Sequence, residues 1–271
     1  MTTLPFEDRR YALNDLINYP QMTLSAYSLT PLEKMLVGTF LSMARPTVVV
    51  ELGIFKARTT AYICQYLEAN QINAHVYGFD IPEQIDEVRQ ESAEMQRYEA
   101  EGRATLLPGY LPESLIAWLG SHNQMIDWAL VDALHEFPNV TSELDLLWPR
   151  LSPNGVILCH DYDQRPEHEG VRYAVDRFAD RTPDAHVCSL YVPPDPTIND
   201  EIESYRMSST LVVLRRRPYD FSNAKLLGYL NTEAQWKFKR NRPTYEARTR
   251  AFLRSTGLLG VARSVKKIVR R

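Results

Sequence analysis

The chain has 271 residues, 44% hydrophobic and 24% charged, the composition of a soluble globular protein long enough to bury a full core, so one α/β domain with additions is expected rather than two equal domains. Cys64, Cys159 and Cys188 form no C-x-x-C pair, so neither a disulfide framework nor a structural zinc site is suggested and a reducing cytoplasm is expected; the start MTTLPFEDRR is too polar for a secretory signal, and no apolar run approaches the roughly 18 residues of a membrane-spanning helix. The net charge of −3 hides an asymmetry: residues 222–271 hold 13 Lys and Arg against two acids, whereas the preceding 221 residues hold 18 basic and 32 acidic side chains.

In chain order, Thr30-Pro31 opens a helix, with Thr30 as N-cap, Pro31 at the first helical position, and Leu32, Met35, Leu36, Phe40, Leu41 and Met43 at helical spacing. Such a helix either packs on the core or covers the mouth of a site. The β-branched run Val48-Val49-Val50 then ends at Glu51-Leu52-Gly53 ahead of a helix reaching about Asn70, which reads as buried parallel strand, tight turn and helix. Gly53 lets the backbone pass close to a ligand, and the free N–H groups of the next helix face that ligand. An ordinary βα unit with a structural glycine is the plain alternative. A second strand, His75 to Phe79, ends at Asp80 before Ile81-Pro82, where the acid can accept from ribose hydroxyls or cap the helix at Pro82. One charged helix is expected over 84–102, a third strand over 104–107, and the turn Pro108-Gly109-Tyr110 leads to a helix over 112–119.

A fourth strand, 125–131, ends at Asp132 with His135 three residues on. A helix over 138–151 and a fifth strand, 154–159, follow, the latter ending at His160-Asp161-Tyr162. Past a helix over 170–181, strands over 185–192 and 210–214 are joined by a loop opened by Pro193-Pro194-Asp195-Pro196, which is placed to lie over the site. Alternation of strands and helices predicts a Rossmann-like, doubly wound, mostly parallel α/β sheet with an antiparallel edge hairpin, whose ligands bind at the carboxyl ends of the strands. Glu51, Asp80, Asp132, His135, His160 and Asp161 all fall at that edge. His75, His122, His168 and His186 have no motif around them, Trp118, Trp128 and Trp148 read as core, and Tyr162 is either core or a substrate wall. The expected parts are an N-terminal helical cap (1–45), the α/β domain (46–217) and a basic helical tail (218–271).

The Glu51-x-Gly53 turn, Asp80, the acid-x-x-His of Asp132 and His135, and His160-Asp161-Tyr162 resemble class I S-adenosylmethionine-dependent methyltransferases. They are most similar to the small-molecule O-methyltransferase family that includes macrolide sugar O-methyltransferases and the related cephalosporin-biosynthesis protein. One departure is Ala57, where the family commonly has a third glycine. The resemblance implies S-adenosylmethionine as cofactor, bound by Glu51, Gly53, Thr59, Asp80, Ile81, Gly109, Tyr110 and Asp132. It implies transfer to a hydroxyl of a sugar, glycan or hydroxylated small metabolite, with His135 as general base beside Asp132. In metal-dependent members a divalent cation, commonly Mg²⁺, sits at the positions of Asp132, His160 and Asp161; here His160 replaces a carboxylate, and imidazole also suits later divalent metals. His160 either ligates such a metal or holds the loop by hydrogen bonding to Asp132 or Asp161. Asp132 on its own is also compatible with a helix N-cap.

A non-catalytic binding module working through the basic tail is the competing reading. A nicotinamide-dependent oxidoreductase would need the G-x-G-x-x-G fingerprint, for which Glu51 and Lys56 stand where glycines belong. In the tail, Leu258, Val261, Val265, Ile268 and Val269 recur at helical spacing among Arg263, Lys266, Lys267, Arg270 and Arg271. Residues 257–271 therefore suit an anionic membrane surface, placing a cytoplasmic enzyme peripherally at the inner face of the membrane, or packing in a homo-oligomer. Nucleic acid is the least favoured partner, since the body is acidic.

Overall fold

The computed structural model describes residues 29–163, 169–194 and 208–217. The chain divides into two units, Met1–Lys225 and Leu226–Arg271, and every described residue belongs to the first. The segment 1–28, His168, Asp195-Pro196 and the tail 218–271, with its expected amphipathic helix, lie outside the described residues. Among those residues no helix is long and apolar enough to cross a membrane.

Helix α1 (Pro31–Ala44) starts on a capping box in which the Thr30 hydroxyl accepts from Glu33 N–H at 3.1 Å and Thr30 N–H donates to Glu33 Oε2 at 2.9 Å. Strand β1 (Val48–Leu52) is buried along its whole length, as a central strand covered on both faces must be. It leads through a turn into α2 (Arg58–Ala69), β2 (His75–Asp80), α3 (Pro82–Glu91), α4 (Ala93–Ala100) and β3 (Ala104–Pro108). The single helix expected over 84–102 is instead α3 and α4. Ser92 breaks it by taking an extended backbone and accepting from Met95 N–H, the competition with helical bonding expected of a serine. The chain continues through α5 (Glu113–Ser121), β4 (Ile126–Val131), α6 (Phe137–Leu147), a 3₁₀ turn (Trp148–Arg150), β5 (Leu151–Cys159), α7 (Glu169–Arg181), β6 (His186–Ser189) and β7 (Val212–Arg215). The strand expected over 185–192 is the shorter β6 plus an isolated bridge between Val192 and Ser209.

The seven strands lie in the order β3-β2-β1-β4-β5-β7-β6. The first five pair in parallel, and β7 is antiparallel to both β5 and β6, so the edge hairpin is present. Because β1 is flanked by β2 on one side and β4 on the other, the connections diverge beyond its carboxyl end and leave a crevice there. One face of the sheet packs Val50, Leu52, Trp118, Leu144, Val175 and Phe178 into a continuous core. Trp118, Trp128 and Trp148 are all buried, as expected of core residues.

Inside that layering, Glu143 of α6 is only 1% exposed and its Oε2 has no hydrogen-bond partner. Burial pushes its carboxyl up to about 8 from an ordinary 4.5. The folded state therefore keeps a proton that the unfolded chain releases, so stability is full below the unfolded pKa and is lost as pH rises from about 4.5 through about 8. Replacing Glu143 with Gln should reduce the stability lost between mildly acidic and mildly alkaline pH by on the order of 2–4 kcal/mol, measured by urea unfolding. An unchanged pH slope in E143Q would contradict this.

Candidate active site

The turn after β1 is built by two close approaches. Gly53 has φ +84°, and a Cβ there would stand 2.2 Å from the Asp132 carbonyl oxygen and 2.6 Å from Ala133 Cα. The glycine is thus required by the neighbouring turn after β4, rather than only by a ligand as its place in the sequence suggests. Asp80 closes the other side: its Oδ2 accepts from Ile54 N–H (2.9 Å) and Phe55 N–H (2.7 Å), and Oδ1 accepts from Ile81 N–H (2.8 Å). Asp80 is not the cap of α3, whose N-cap is Ile81. Ala57, the departure from the family's glycine, is left-handed (φ 51°), so this position carries the strain that a glycine would relieve. It precedes an α2 that has no side-chain cap and no acid in its first turn. The N–H groups of Ile54 and Phe55, in the turn ahead of α2, are both taken by Asp80.

The second group of residues collects at the ends of β4 and β5. Asp132 N–H donates to Leu52 O (2.9 Å) and His160 N–H to Val131 O (3.0 Å), so three strand ends are tied together. Asp132 caps no helix; α6 starts at the N-cap Glu136. The loop carrying His135 lies against the start of α7, where Gly170 leaves no room for a Cβ, which would meet His135 O at 2.2 Å. His135 Nε2 is 3.2 Å from Asp161 Oδ2 and 3.8 Å from Asp132 Oδ1. His160 Nδ1 is 3.1 Å from Asp132 Oδ1 and 3.3 Å from Asp161 Oδ2, while its Nε2 is 3.4 Å from Glu33 Oε2. Asp161 holds its place with a left-handed backbone, φ 59°.

Charge follows from this packing. Asp132, followed by burial and the charge of Asp161, governs His135, and the two acids hold its pKa above the ordinary histidine value. Burial works against a charge on His160, but Asp132 and Glu33 on either side keep its pKa well above the usual value. Burial likewise opposes ionisation of Asp132, yet His160 and hydrogen bonds from both imidazoles keep its carboxyl below the usual range. Among the described residues, the group whose ligand atoms converge within 4.8 Å of one another is Asp132, His135 and Asp161. This differs from the expected metal set by one residue: His135 takes the place of His160, whose ring is engaged by Glu33. Two carboxylates and one imidazole fit a divalent cation, and the nitrogen donor favours a metal later than Mg²⁺.

A cavity of about 960 Å³ joins the two groups. Of the residues singled out in the sequence, Gly53, Thr59, Asp80, Ile81, Gly109, Tyr110, Asp132, His135, His160 and Asp161 line it. Ile81 and Tyr110 are 40% and 63% exposed, large apolar surfaces at its rim. Glu51 does not line it. Its carboxyl is fully buried beneath the turn, both oxygens lack a partner, and burial raises its pKa to about 8. Tyr162 is also outside the cavity, packed against the core with its hydroxyl donating to Asp176 (2.7 Å). Pro194, from the loop expected over the site, lines the cavity; sequence reasoning missed Glu33 and Asp163, both buried and lining it, and the wall formed by Tyr191, Val192 and Thr210. For Glu33 a signal existed: it completes Thr30-x-x-Glu and shares a helical stripe with the buried Leu36, Val37 and Phe40. For Tyr191, Val192 and Thr210 there was none, since that wall forms only when β7 pairs back on β5.

Comparison with known proteins places this geometry. A family model described as a methyltransferase domain matches residues 50–162, the span from β1 to the His160-Asp161-Tyr162 segment. A search of curated proteins gave no match. Among solved structures, the chain is similar to the O-methyltransferase from Bacillus cereus in complex with SAH, at 13% identity and TM-score 0.54, covering 75% of this chain and 89% of that one. It is also similar to TomG from Streptomyces achromogenes, an O-methyltransferase of tomaymycin synthesis solved with SAM, at 12% identity and TM-score 0.54, covering 79% and 91%. CalS11, a TDP-rhamnose 3'-O-methyltransferase of calicheamicin biosynthesis, gives 16% identity and TM-score 0.52, covering 79% and 96%. At such identities the structural likeness shows the fold. The chain therefore has a Rossmann-like class I methyltransferase fold, within which residues 50–162 are similar to a methyltransferase domain.

Proposed function

We propose that this chain is an S-adenosylmethionine-dependent methyltransferase that methylates a hydroxyl of a sugar, glycan or hydroxylated small metabolite, with His135 as the general base. The observation that carries this reading is the pair of carboxylates behind His135 Nε2, in the cavity that also holds Gly53 and Asp80. S-adenosylmethionine, when bound, supplies an electrophilic sulfonium methyl group. The residues present fit it: Asp80 offers carboxylate oxygens for ribose hydroxyls, Ile81 and Tyr110 offer apolar surface for a purine, and Thr59 with the uncapped start of α2 suits the carboxylate of the methionine end. Glu51, buried and outside the cavity lining, is left out of this set. The acceptor oxygen attacks in line as its proton passes to His135. Asp161 and Asp132 lie beside Nε2, and the imidazolium that forms is stabilised by these carboxylates. A sugar acceptor is supported by the likeness to CalS11, whose own acceptor is a nucleotide-linked rhamnose.

A second reading rests on the converging Asp132, His135 and Asp161. A divalent cation on these groups would lower the acceptor's pKa, and it would engage His135 as a ligand instead of leaving it as the base.

The reading is tested by incubating the full chain with methyl-labelled S-adenosylmethionine and a panel of nucleotide sugars, glycans and hydroxylated metabolites; label in none of them would contradict it. With an acceptor in hand, His135→Ala should leave cofactor affinity intact and lower turnover by roughly 10²- to 10⁴-fold. Full activity in H135A would place the base elsewhere. Turnover indifferent to a chelator, with no metal by elemental analysis, is the outcome expected of a His135 base; loss on chelation and recovery with a divalent metal would favour the second reading. Asp80→Ala should weaken cofactor binding by on the order of 1–3 kcal/mol in calorimetry, and unchanged affinity would remove Asp80 from the ribose site.

A further inference from the structure

We propose that Glu33, on the N-terminal helix α1, is a positioning residue for the methyl-transfer site, fixing the His160 ring and through it the two carboxylates that face His135. This deepens the reading above and rests on it. A helix-capping glutamate ordinarily reaches back to one backbone N–H and leaves its other oxygen in water. Glu33 is instead 2% exposed, and both of its oxygens are used twice. Oε1 accepts from Thr210 N–H (2.7 Å) and the Thr210 hydroxyl (3.1 Å), at the approach to β7. Oε2 accepts from Thr30 N–H (2.9 Å) and faces His160 Nε2 (3.4 Å).

The other ring nitrogen of His160 faces Asp132 Oδ1 (3.1 Å) and Asp161 Oδ2 (3.3 Å). Both nitrogens therefore look at oxygens that only accept. A ring flip would put C–H groups against those carboxylates, so the bracket selects one orientation with both N–H groups donating. The same two oxygens, Asp132 Oδ1 and Asp161 Oδ2, are those nearest His135 Nε2. A continuous row runs from Glu33 through His160 and the two aspartates to His135, with Glu33 as its anchor in the scaffold. Thr210 ties that anchor twice, since its hydroxyl also accepts from Asp161 N–H (3.2 Å).

Glu33→Gln preserves size and removes two acceptor positions. If its amide oxygen meets Thr210, its NH₂ confronts Thr30 N–H and His160 Nε2–H, all donors; the opposite rotamer confronts Thr210. Thr30→Ala is the control for helix capping: it deletes the hydroxyl that accepts from Glu33 N–H and donates to Ser208 O (2.7 Å), while the Thr30 N–H bond to Glu33 remains. Both variants should melt at lower temperature. The test is ¹⁵N-ring-labelled histidine NMR on the full chain, with His160 and His135 signals assigned from His160→Gln and His135→Gln. The wild type and T30A should show a downfield, slowly exchanging His160 Nε2–H proton. E33Q should lose it and shift the His135 ring signals. With an acceptor, E33Q should also lower turnover about 10- to 100-fold while leaving the KM for S-adenosylmethionine unchanged. The proposal is overturned if the imidazole signals of E33Q match the wild type, or if T30A changes them as much as E33Q does; either makes Glu33 a helix cap alone. The NMR result does not depend on turnover, so failure to find any methyl acceptor would count against the proposed reaction and not against this role of Glu33.

Discussion

The site depends on how closely two turns can approach. Because Gly53 has no side chain, the turn after β1 lies directly on the backbone of Asp132 and Ala133 after β4, and any Cβ there would stand 2.2 Å from the Asp132 carbonyl. The backbone bonds from Gly53 N–H to Phe79 O and from Asp132 N–H to Leu52 O, each 2.9 Å, then lock β2, β1 and β4 in step at their carboxyl ends. Asp80, stapling Ile54 and Phe55, and Asp132, facing both histidines, are carried by adjacent parts of one rigid edge. A carboxylate beside each of the two turns is what a parallel sheet offers where its connections diverge.

Glu51 belongs to the same constraint in a less expected way. It sits on the central strand with both oxygens buried and unpartnered, next to Thr60 of α2, and burial keeps it protonated to about pH 8. A neutral carboxyl beneath the glycine turn adds no negative charge at the point where Asp80 and Asp132 already contribute theirs. The balance at the other end is different: Glu33, Asp132 and Asp161 face two imidazoles, so carboxylate acceptors and ring N–H donors alternate within hydrogen-bonding reach. Such alternation lets buried carboxylates stay ionised without a solvent shell.

Much of this was legible in the residues. Strand ends are marked in sequence by an apolar run stopping at an acid, and Val48–Leu52, His75–Asp80 and Ile126–Val131 all read that way, so the order of elements and the edge carrying the site follow from local pattern. The break at Ser92 was not legible, because one serine in a charged helical stretch competes for the backbone only when the tertiary turn into β3 rewards it. Roles that depend on direction were also hidden. Sequence puts Glu51, His135 and His160 at one edge, but the pleat sends Glu51 beneath the turn, and it is the α1 packing, long-range in sequence, that brings Glu33 to His160. Membership of an edge is written in spacing; the partner of each side chain is written in packing.

The central claim is that one cavity holds the methyl donor between the Gly53–Asp80 turn and the His135 cluster. A crystal structure of the full chain with S-adenosylhomocysteine tests it most directly. The account predicts ribose hydroxyls on Asp80, the base beside Ile81 and Tyr110, and the thioether sulfur turned toward Asp132 and His135, leaving space for an acceptor oxygen at about 3–3.5 Å from the departing methyl position. Density for the ligand elsewhere, or with its sulfur turned away from His135, would contradict it.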